Sequence, residues 1–373
     1  MYSDGKSVTE IARELGRSRQ WVHKWIRRSK SRDGNWNKSA SKAPHSTSNR
    51  TSSAVESDVI RARQELKSAP YMESGAYAIW HKLRDEGCAP PSVATINRIL
   101  NRNGLIDRKT RYRGVCADYP VTPPDTQIMD LIGPRYIRGG SRYYLFTIIS
   151  NDTRHAGVYP ILTKDGNGIT DSAVRFWKDY SLPCFLQMDN ELSFKGSNRH
   201  PRSLGLLLRT AMGLNVVPIF IPVREPWRDG VIERFNQKVE RTLLAQEHRD
   251  FDELKEHTCE FVSAHNMWHH YSTLDHKTPV EMDNELPRPL NPLSQDYQVT
   301  SRPVLNEDNL NEIRFIRLVR SDLAVSILNS EVHVRPELMY TYVEARLLVN
   351  QNRLLIIQDD KVVQDFDFLM PSV

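Results

Sequence analysis

Three short apolar runs between residues 127 and 162 restrict the fold of this chain more than any other feature. QIMDLIGP (127–134), RYYLFTIIS (142–150) and HAGVYPIL (155–162) are rich in β-branched and aromatic residues, with turn-forming residues between them. A helix is expected next over about 169–181, then PCFLQMDNE as a strand, a helical stretch over about 200–213, and VVPIFI as a strand. Three strands followed by alternating helix and strand make a mixed α/β domain.

Two of these strands carry an acid where a strand does not favour one. Asp130 shares its alternation face with Ile128 and Ile132, and Asp189 ends the apolar run of its strand. A lone carboxylate near a sheet core is costly unless something compensates it. The element that follows, PWRDGVIERFNQKVER (226–241), has Ile232, Phe235, Val239 and Leu243 at helical spacing, with Pro226 and Asp229 suited to a helix start. On this helix alone Glu233 reads as a solvated residue. Together with Asp130 and Asp189 it can instead complete a cluster of three carboxylates. Such a cluster repels itself, and the usual remedy is hard divalent cations bound through oxygen. Two such ions about 3.5–4 Å apart clamp the attacking and leaving oxygens of an in-line phosphoryl displacement.

Charge divides the chain in a way that fits this chemistry. Residues 1–115 hold 23 Lys and Arg against 11 Asp and Glu, whereas the remaining 258 hold 28 against 35. A basic front joined to an acidic body suggests a nucleic-acid-binding module carried by something else. Residues 8–29, VTEIARELGRSRQWVHKWIRRS, read as two short helices around Gly16. Ile11, Ala12 and Leu15 pack the first; Ser18 caps the second, and Val22 and Trp25 close the core. This is helix-turn-helix spacing, with Gly16 free to take the left-handed turn conformation. The second helix would offer Arg17, Arg19, Gln20 and Lys24 to DNA. A plain helical hairpin is the alternative. Residues 57–115 repeat the theme less sharply, ending on PPSVATINRILNRNGL. There Ser92 is the cap, Val93, Ile96, Ile99 and Leu100 the core, and Arg98 and Arg102 the cations expected to bind DNA; a basic tail, DRKTRYRG, suited to a backbone contact, follows.

Between these units, residues 31–56 are Ser/Asn/Lys-rich and read as a flexible linker, and 116–126 as a proline-rich hinge. After another Pro-rich stretch, residues 299–373 hold five or six short strands with tight turns at Asn329-Ser330, Gln351-Asn352 and Asp359-Asp360. These predict a small β-barrel. The four cysteines are scattered without a CxxC pair, which argues against a zinc site or a disulfide framework and fits a reducing cytoplasm. No apolar run approaches the ~18–20 residues of a membrane span, and the N-terminus lacks an apolar signal core. A cytoplasmic protein without membrane partners is expected.

QIMDLIGP, SNDTRHAGVYP, MDNELSF, DGVIERFNQKVERTL and HYSTLDHKTPVEM, in this order, resemble the core of DDE transposases related to retroviral integrases, as found in bacterial insertion sequences. The resemblance covers roughly residues 120–285. The tandem helix-turn-helix front and the barrel tail resemble the same architecture. It implies an RNase H-like fold with Asp130, Asp189 and Glu233 as the catalytic, metal-binding triad for two Mg²⁺ (or Mn²⁺) ions. It also implies binding of the element's terminal repeats and of target DNA, end cleavage and strand joining, and a homo-oligomer assembled on double-stranded DNA. Two departures stand out. Asp189 and Glu233 are 44 positions apart, a long spacing that points to an insertion near SNRHPRSLG. Where relatives carry a basic residue seven after the Glu, this chain has Glu240, so Lys238 or Arg241 would take over its DNA contact. Glu191 and Asp152 read as turn or surface acids, and His269 and His270 as packing or solvated residues. The competing readings are a catalytically silent regulator descended from a transposase and a nuclease that cuts without joining.

Overall fold

The computed structural model describes residues 2, 4–30, 51–106, 119–196, 201–223, 225–303, 305 and 311–371. The basic tail 107–114, Cys116 and most of the expected linker lie outside these. So do residues 197–200 of the expected insertion. The chain divides into two compact units, residues 1–53 and 54–373.

In the first unit, α1 (Val8–Glu14) and α2 (Arg19–Lys30) pack through Ile11, Ala12 and Val22. Ser7 and Glu10 form a capping box at α1, and the Trp21 amide donates to Ser18 Oγ at 3.2 Å to start α2. Gly16 takes φ +60° at the turn. Leu15 is not a core residue as expected. It caps α1 from outside and is 44% exposed, because the helix ends at Glu14.

The second unit opens with α3 (Ser53–Ser68), α4 (Ala76–Asp85) and α5 (Val93–Arg102). The first of these begins inside the segment expected as linker. Val59, Ile79, Ile96 and Ile99 are sealed at their centre, and Ser92 Oγ accepts the Thr95 amide at the start of α5.

The body is built on β1 (Thr126–Tyr136), β2 (Arg142–Ser150), β3 (Ala156–Ile161), α6 (Gly166–Asp179), β4 (Phe185–Met188), α7 (Leu192–Lys195), α8 (Leu206–Gly213), β5 (Val217–Phe220), a 3-10 turn (Pro226–Asp229), α9 (Gly230–Thr242), α10 (Phe251–Trp268) and α11 (Pro279–Asp283). The C-terminal region adds β6 (Glu312–Leu318), β7 (Ala324–Ile327), β8 (Ser330–His333), β9 (Tyr342–Leu348), β10 (Arg353–Gln358) and β11 (Lys361–Asp367). Strands β1 to β3 form an antiparallel meander, and β1, β4, β5 and β6 run parallel. Alternation along β1 and β2 fills two cores. Met129, Phe146 and Ile148 pack with α6 and α8, while Ile128, Leu145 and Ile149 pack with Ile232, Phe235 and Val239 of α9 and Phe261 of α10. Asp130, two residues beyond Ile128, therefore takes the α9 side.

The C-terminal strands do not form the expected separate barrel. They extend the central sheet into nine strands in the order β11-β10-β9-β6-β5-β4-β1-β2-β3, and β7 pairs with β8 alone. The reason lies in their apolar face. Ile313, Phe315, Val343, Leu347 and Ile356 share one core with Leu186 and Phe220, and Phe315 stacks on Phe220 at 5.0 Å. A closed barrel would have needed a core of its own. The expected tight turns are present, with Asn329, Asn352, Asp359 and Asp360 at positive φ. Among the described residues no helix is long and apolar enough to cross a membrane.

Candidate active site

The alternation of β1 brings Asp130 to α9, where two donors hold its carboxylate. The Leu131 amide donates to Oδ1 at 2.7 Å and Asn236 Nδ2 to Oδ2 at 2.7 Å. Asn236 is one helical turn past Glu233, so the apolar stripe of α9 that packs on the sheet turns both residues toward β1. Asp130, Glu233, Asn236, Gln237 and Glu240 line a polar cavity of about 500 Å³ together with residues 131–135.

Burial, helped by the negative charges of Asp189, Glu191 and Glu233 and opposed by the Leu131 amide, pushes the Asp130 carboxyl up to about 7. Asp189 lies just past β4 and accepts the Glu191 amide at 2.9 Å; burial, with Glu191, also raises its pKa. It is not among the residues lining that cavity, and it acts on Asp130 through its charge.

A fourth acid belongs to the same field. Asp229 occupies the N-cap position of α9 but makes no cap hydrogen bond with its side chain. It is 6% exposed and accepts from Gln187 Nε2 at 2.5 Å. Burial, then repulsion from Asp130, Asp189 and Glu233, holds its carboxyl up to about 7, although Gln187 works the other way. The suitability of Asp229 as a helix start hid this role. The available signals were its i, i+4 spacing to Glu233 and Gln187, a polar residue inside a four-residue strand. Glu191 is likewise more than a surface acid: it is half-buried, bonds Lys164 at 2.5 Å and acts on both aspartates. Asp152 keeps a turn role, accepting the Asp125 amide at 2.6 Å.

The donor chemistry suits a hard divalent ion, being oxygen throughout, and Asn236 Oδ1 is buried without a hydrogen-bond partner. As placed, however, no group of three His, Cys, Asp or Glu among the described residues could hold an ion.

The expected DNA contacts divide. Arg17, in the turn before α2, and Arg19, Gln20 and Lys24, on its first two turns, are all exposed. Arg98 is exposed on α5, whereas Arg102 is paired with Glu56 at 2.8 Å. Lys238 does not lie on the surface as expected. It is 8% exposed, with Nζ 3.2 Å from His265 Nδ1, and burial pulls its pKa down to about 8, so its side chain is enclosed and cannot reach DNA from there. Arg241 remains exposed beside Gln237. The cation beside the cavity is Arg135 of β1, which pairs with Glu240 at 2.5 Å. His270 stacks on His81 at 3.6 Å and His269 on His265 at 5.5 Å, so both histidines pack.

Comparison with known proteins gives two family matches, an integrase core domain over residues 214–279 and a homeodomain-like domain over residues 1–36. Among solved structures, the chain is similar to the HTLV-2 integrase catalytic core domain in complex with magnesium. The identity is 13% and the TM-score 0.33, over 43% of this chain and 96% of that one. It is also similar to the catalytic core domain of BIV integrase, at 14% identity and TM-score 0.34, over 44% and 95%. A third similarity, at 11% identity and TM-score 0.39 over 79% and 97%, is to a simian T-cell lymphotropic virus intasome in complex with PP2A regulatory subunit B56 gamma. The front of the chain thus matches a homeodomain-like domain, and β5, α9 and α10 match an integrase core domain, a pairing that resembles transposases.

Proposed function

We propose that this protein binds the ends of a mobile DNA element, cleaves a phosphodiester there and joins the released 3′-OH to target DNA. Asp130, Asp189 and Glu233 would hold two Mg²⁺ or Mn²⁺ ions. The observation that carries the proposal is the convergence of Asp130 and Glu233 on one polar cavity, with Asp130 driven up to about 7 by burial and by its acidic neighbours. A protein that keeps mutually repelling acids in a half-enclosed site bears a cost that cation binding would offset. Bound ions supply charge neutralisation at the phosphate and a lowered pKa of water. The chain's own part is positioning: the Leu131 amide and Asn236 fix both oxygens of Asp130, and packing of α9 on the sheet orients Glu233. Joining requires two ends held together, so a homo-oligomer on DNA is part of the proposal, acting in the cytoplasm.

One observation favours the silent-regulator reading: as placed, the acids form no ready ligand set. Strand transfer with a labelled terminal oligonucleotide separates the readings. Metal-dependent joined product supports the transposase, cleavage without joining the nuclease, and binding without either the regulator. Activity is expected with Mg²⁺ or Mn²⁺ and unchanged by zinc-selective chelators, because the donors are oxygens. Full activity after removal of all divalent ions would refute the metal assignment.

The front unit carries its own prediction. Arg19→Ala with Gln20→Ala should weaken binding to the element's end far more than binding to random DNA, each good base contact being worth ~1–3 kcal/mol of discrimination. A gel-shift titration on both DNAs reads this, and equal losses would mean that α2 does not read sequence.

A further inference from the structure

We propose that the C-terminal strands are a working part of this site, with Arg317 of β6 and Tyr342 of β9 as positioning residues for the two loops that carry its acids. The inference rests on the catalytic reading above. The family match to the integrase core ends at residue 279, and the sequence alone suggests a body that is complete by about 285. Both positioning residues come from beyond it.

Arg317 is 7% exposed and pairs with no carboxylate among the described residues. A buried cation without a counter-ion is costly, so its donors must be satisfied by neutral oxygens. Nε donates to the Ser326 carbonyl at 3.0 Å, Nη1 to the Ile221 and Ile316 carbonyls at 2.9 Å each, and Nη2 to Asn190 Oδ1 at 2.8 Å. Asn190 is the residue between Asp189 and Glu191, and its Nδ2 donates to the same Ile221 carbonyl at 2.7 Å. One guanidinium thus closes a triangle that ties the loop after β4 to the end of β5. A planar fork with five donors can do this, whereas a lysine cannot.

Tyr342 does the corresponding work at the other loop. Its hydroxyl donates to Glu225 Oε2 at 2.6 Å and accepts from Arg228 Nη2 at 2.7 Å, while Arg228 Nε donates to the same carboxylate at 3.1 Å. The Arg228 guanidinium lies 4.9 Å from the Tyr342 ring centre and 4.3 Å from that of Tyr119. This closed set fixes the 3-10 turn whose last residue is Asp229, and from which α9 carries Glu233. The strands β6 and β9 are neighbours, with Tyr342 opposite Leu318, so the two latches act from one rigid platform. Ordinary sheet packing would need neither a buried guanidinium reaching to Asn190 nor a hydroxyl inserted into an ion pair.

The test is hydrogen exchange on the full chain without metal or DNA, comparing wild type with Asn190→Ala, Tyr342→Phe, Arg317→Lys and Arg317→Met. Losing a hydrogen bond to a charged group shifts an opening equilibrium by about ten- to a hundredfold. Exchange should therefore rise by that order across residues 189–195 in Asn190→Ala and both Arg317 variants, and across 228–233 in Tyr342→Phe. Exchange in β2 should stay unchanged. On a terminal oligonucleotide, kcat for joining should fall while KM for the end is retained, because the front helices bind it. If Arg317→Met does not fold, Asn190→Ala and Tyr342→Phe decide alone. Unchanged loop exchange, or an equal rise in β2, would overturn the positioning role. Failure of the wild type to cleave or join would instead remove the catalytic reading and leave the exchange result to judge the latches.

Discussion

The Glu233→Gln protein is expected to lose end cleavage and strand transfer together, by more than about a hundredfold, since even the outer partners of metal ligands are worth 10–100-fold. The substitution keeps side-chain size and helix propensity nearly constant, so α9 should fold unchanged. It removes one of the negative charges that act on Asp130 and Asp229. End binding should persist, because the exposed cations of the first unit's second helix lie far along the chain from Glu233. If Glu233 were only a solvated residue in the first turn of α9, the change would be silent to within ~0.5 kcal/mol in every assay. The informative measurement pairs terminal-end binding with strand transfer on one preparation, with Asp130→Asn and Asp189→Asn alongside. Full strand transfer by Glu233→Gln would remove it from the triad. Glu240 would not inherit the role easily, being tied to Arg135.

The sequence conveys the site unevenly, for physical reasons. Period-two alternation placed Asp130 on the face of Ile128 and Ile132, and the structure puts that face against α9. Helical spacing likewise separated Ile232, Phe235 and Val239 from the polar face that carries Glu233 and Asn236. Those patterns are local, and local patterns are readable. What was not readable depends on contacts between distant segments. Lys238 looks like a surface cation at its position in the helix, but α10 comes over it and encloses it against His265. Asp229 fits a cap, and only the arrival of Gln187 from β4 shows that its carboxylate is spent elsewhere. The C-terminal strands have the short lengths and tight turns of a small barrel. Nothing in their sequence says that β6 finds β5 across almost a hundred residues and joins its sheet. Alternation predicts which face of a strand is buried; it does not name the partner.

The acids also set a pH dependence that can be read without any DNA. Asp130 and Asp229 titrate near 7 in the folded chain, against about 3.9 for a free aspartate. Between these values the folded state holds protons that the unfolded chain has released, so each group lowers stability by up to about 4 kcal/mol as pH rises from about 4 to about 7. Buried histidines work in the opposite direction. His81, His265 and His269 are held neutral by burial, and they add stability as pH rises toward about 6.5, where the unfolded chain gives up its imidazole protons. The wild-type profile therefore mixes both signs, and the difference between wild type and an Asp→Asn variant isolates the carboxylate. Asp229→Asn keeps an acceptor for Gln187 Nε2, and in Asp130→Asn the partnerless Oδ1 of Asn236 can meet the new amide. Neither variant should differ much from wild type near pH 4. By pH 8 each should melt higher than metal-free wild type by roughly 5 °C, about 4 kcal/mol set against an unfolding entropy of ~2.1 cal/mol/K per residue in a chain this long. Saturating Mn²⁺ should then stabilise the wild type at pH 8 and close most of the gap to Asp130→Asn, because a bound cation relieves the repulsion that the substitution removes. Melting curves at the two pH values, with and without Mn²⁺, give the result. Equal pH profiles for wild type and both variants would mean that these carboxylates titrate normally and that no strained acidic site exists to be relieved.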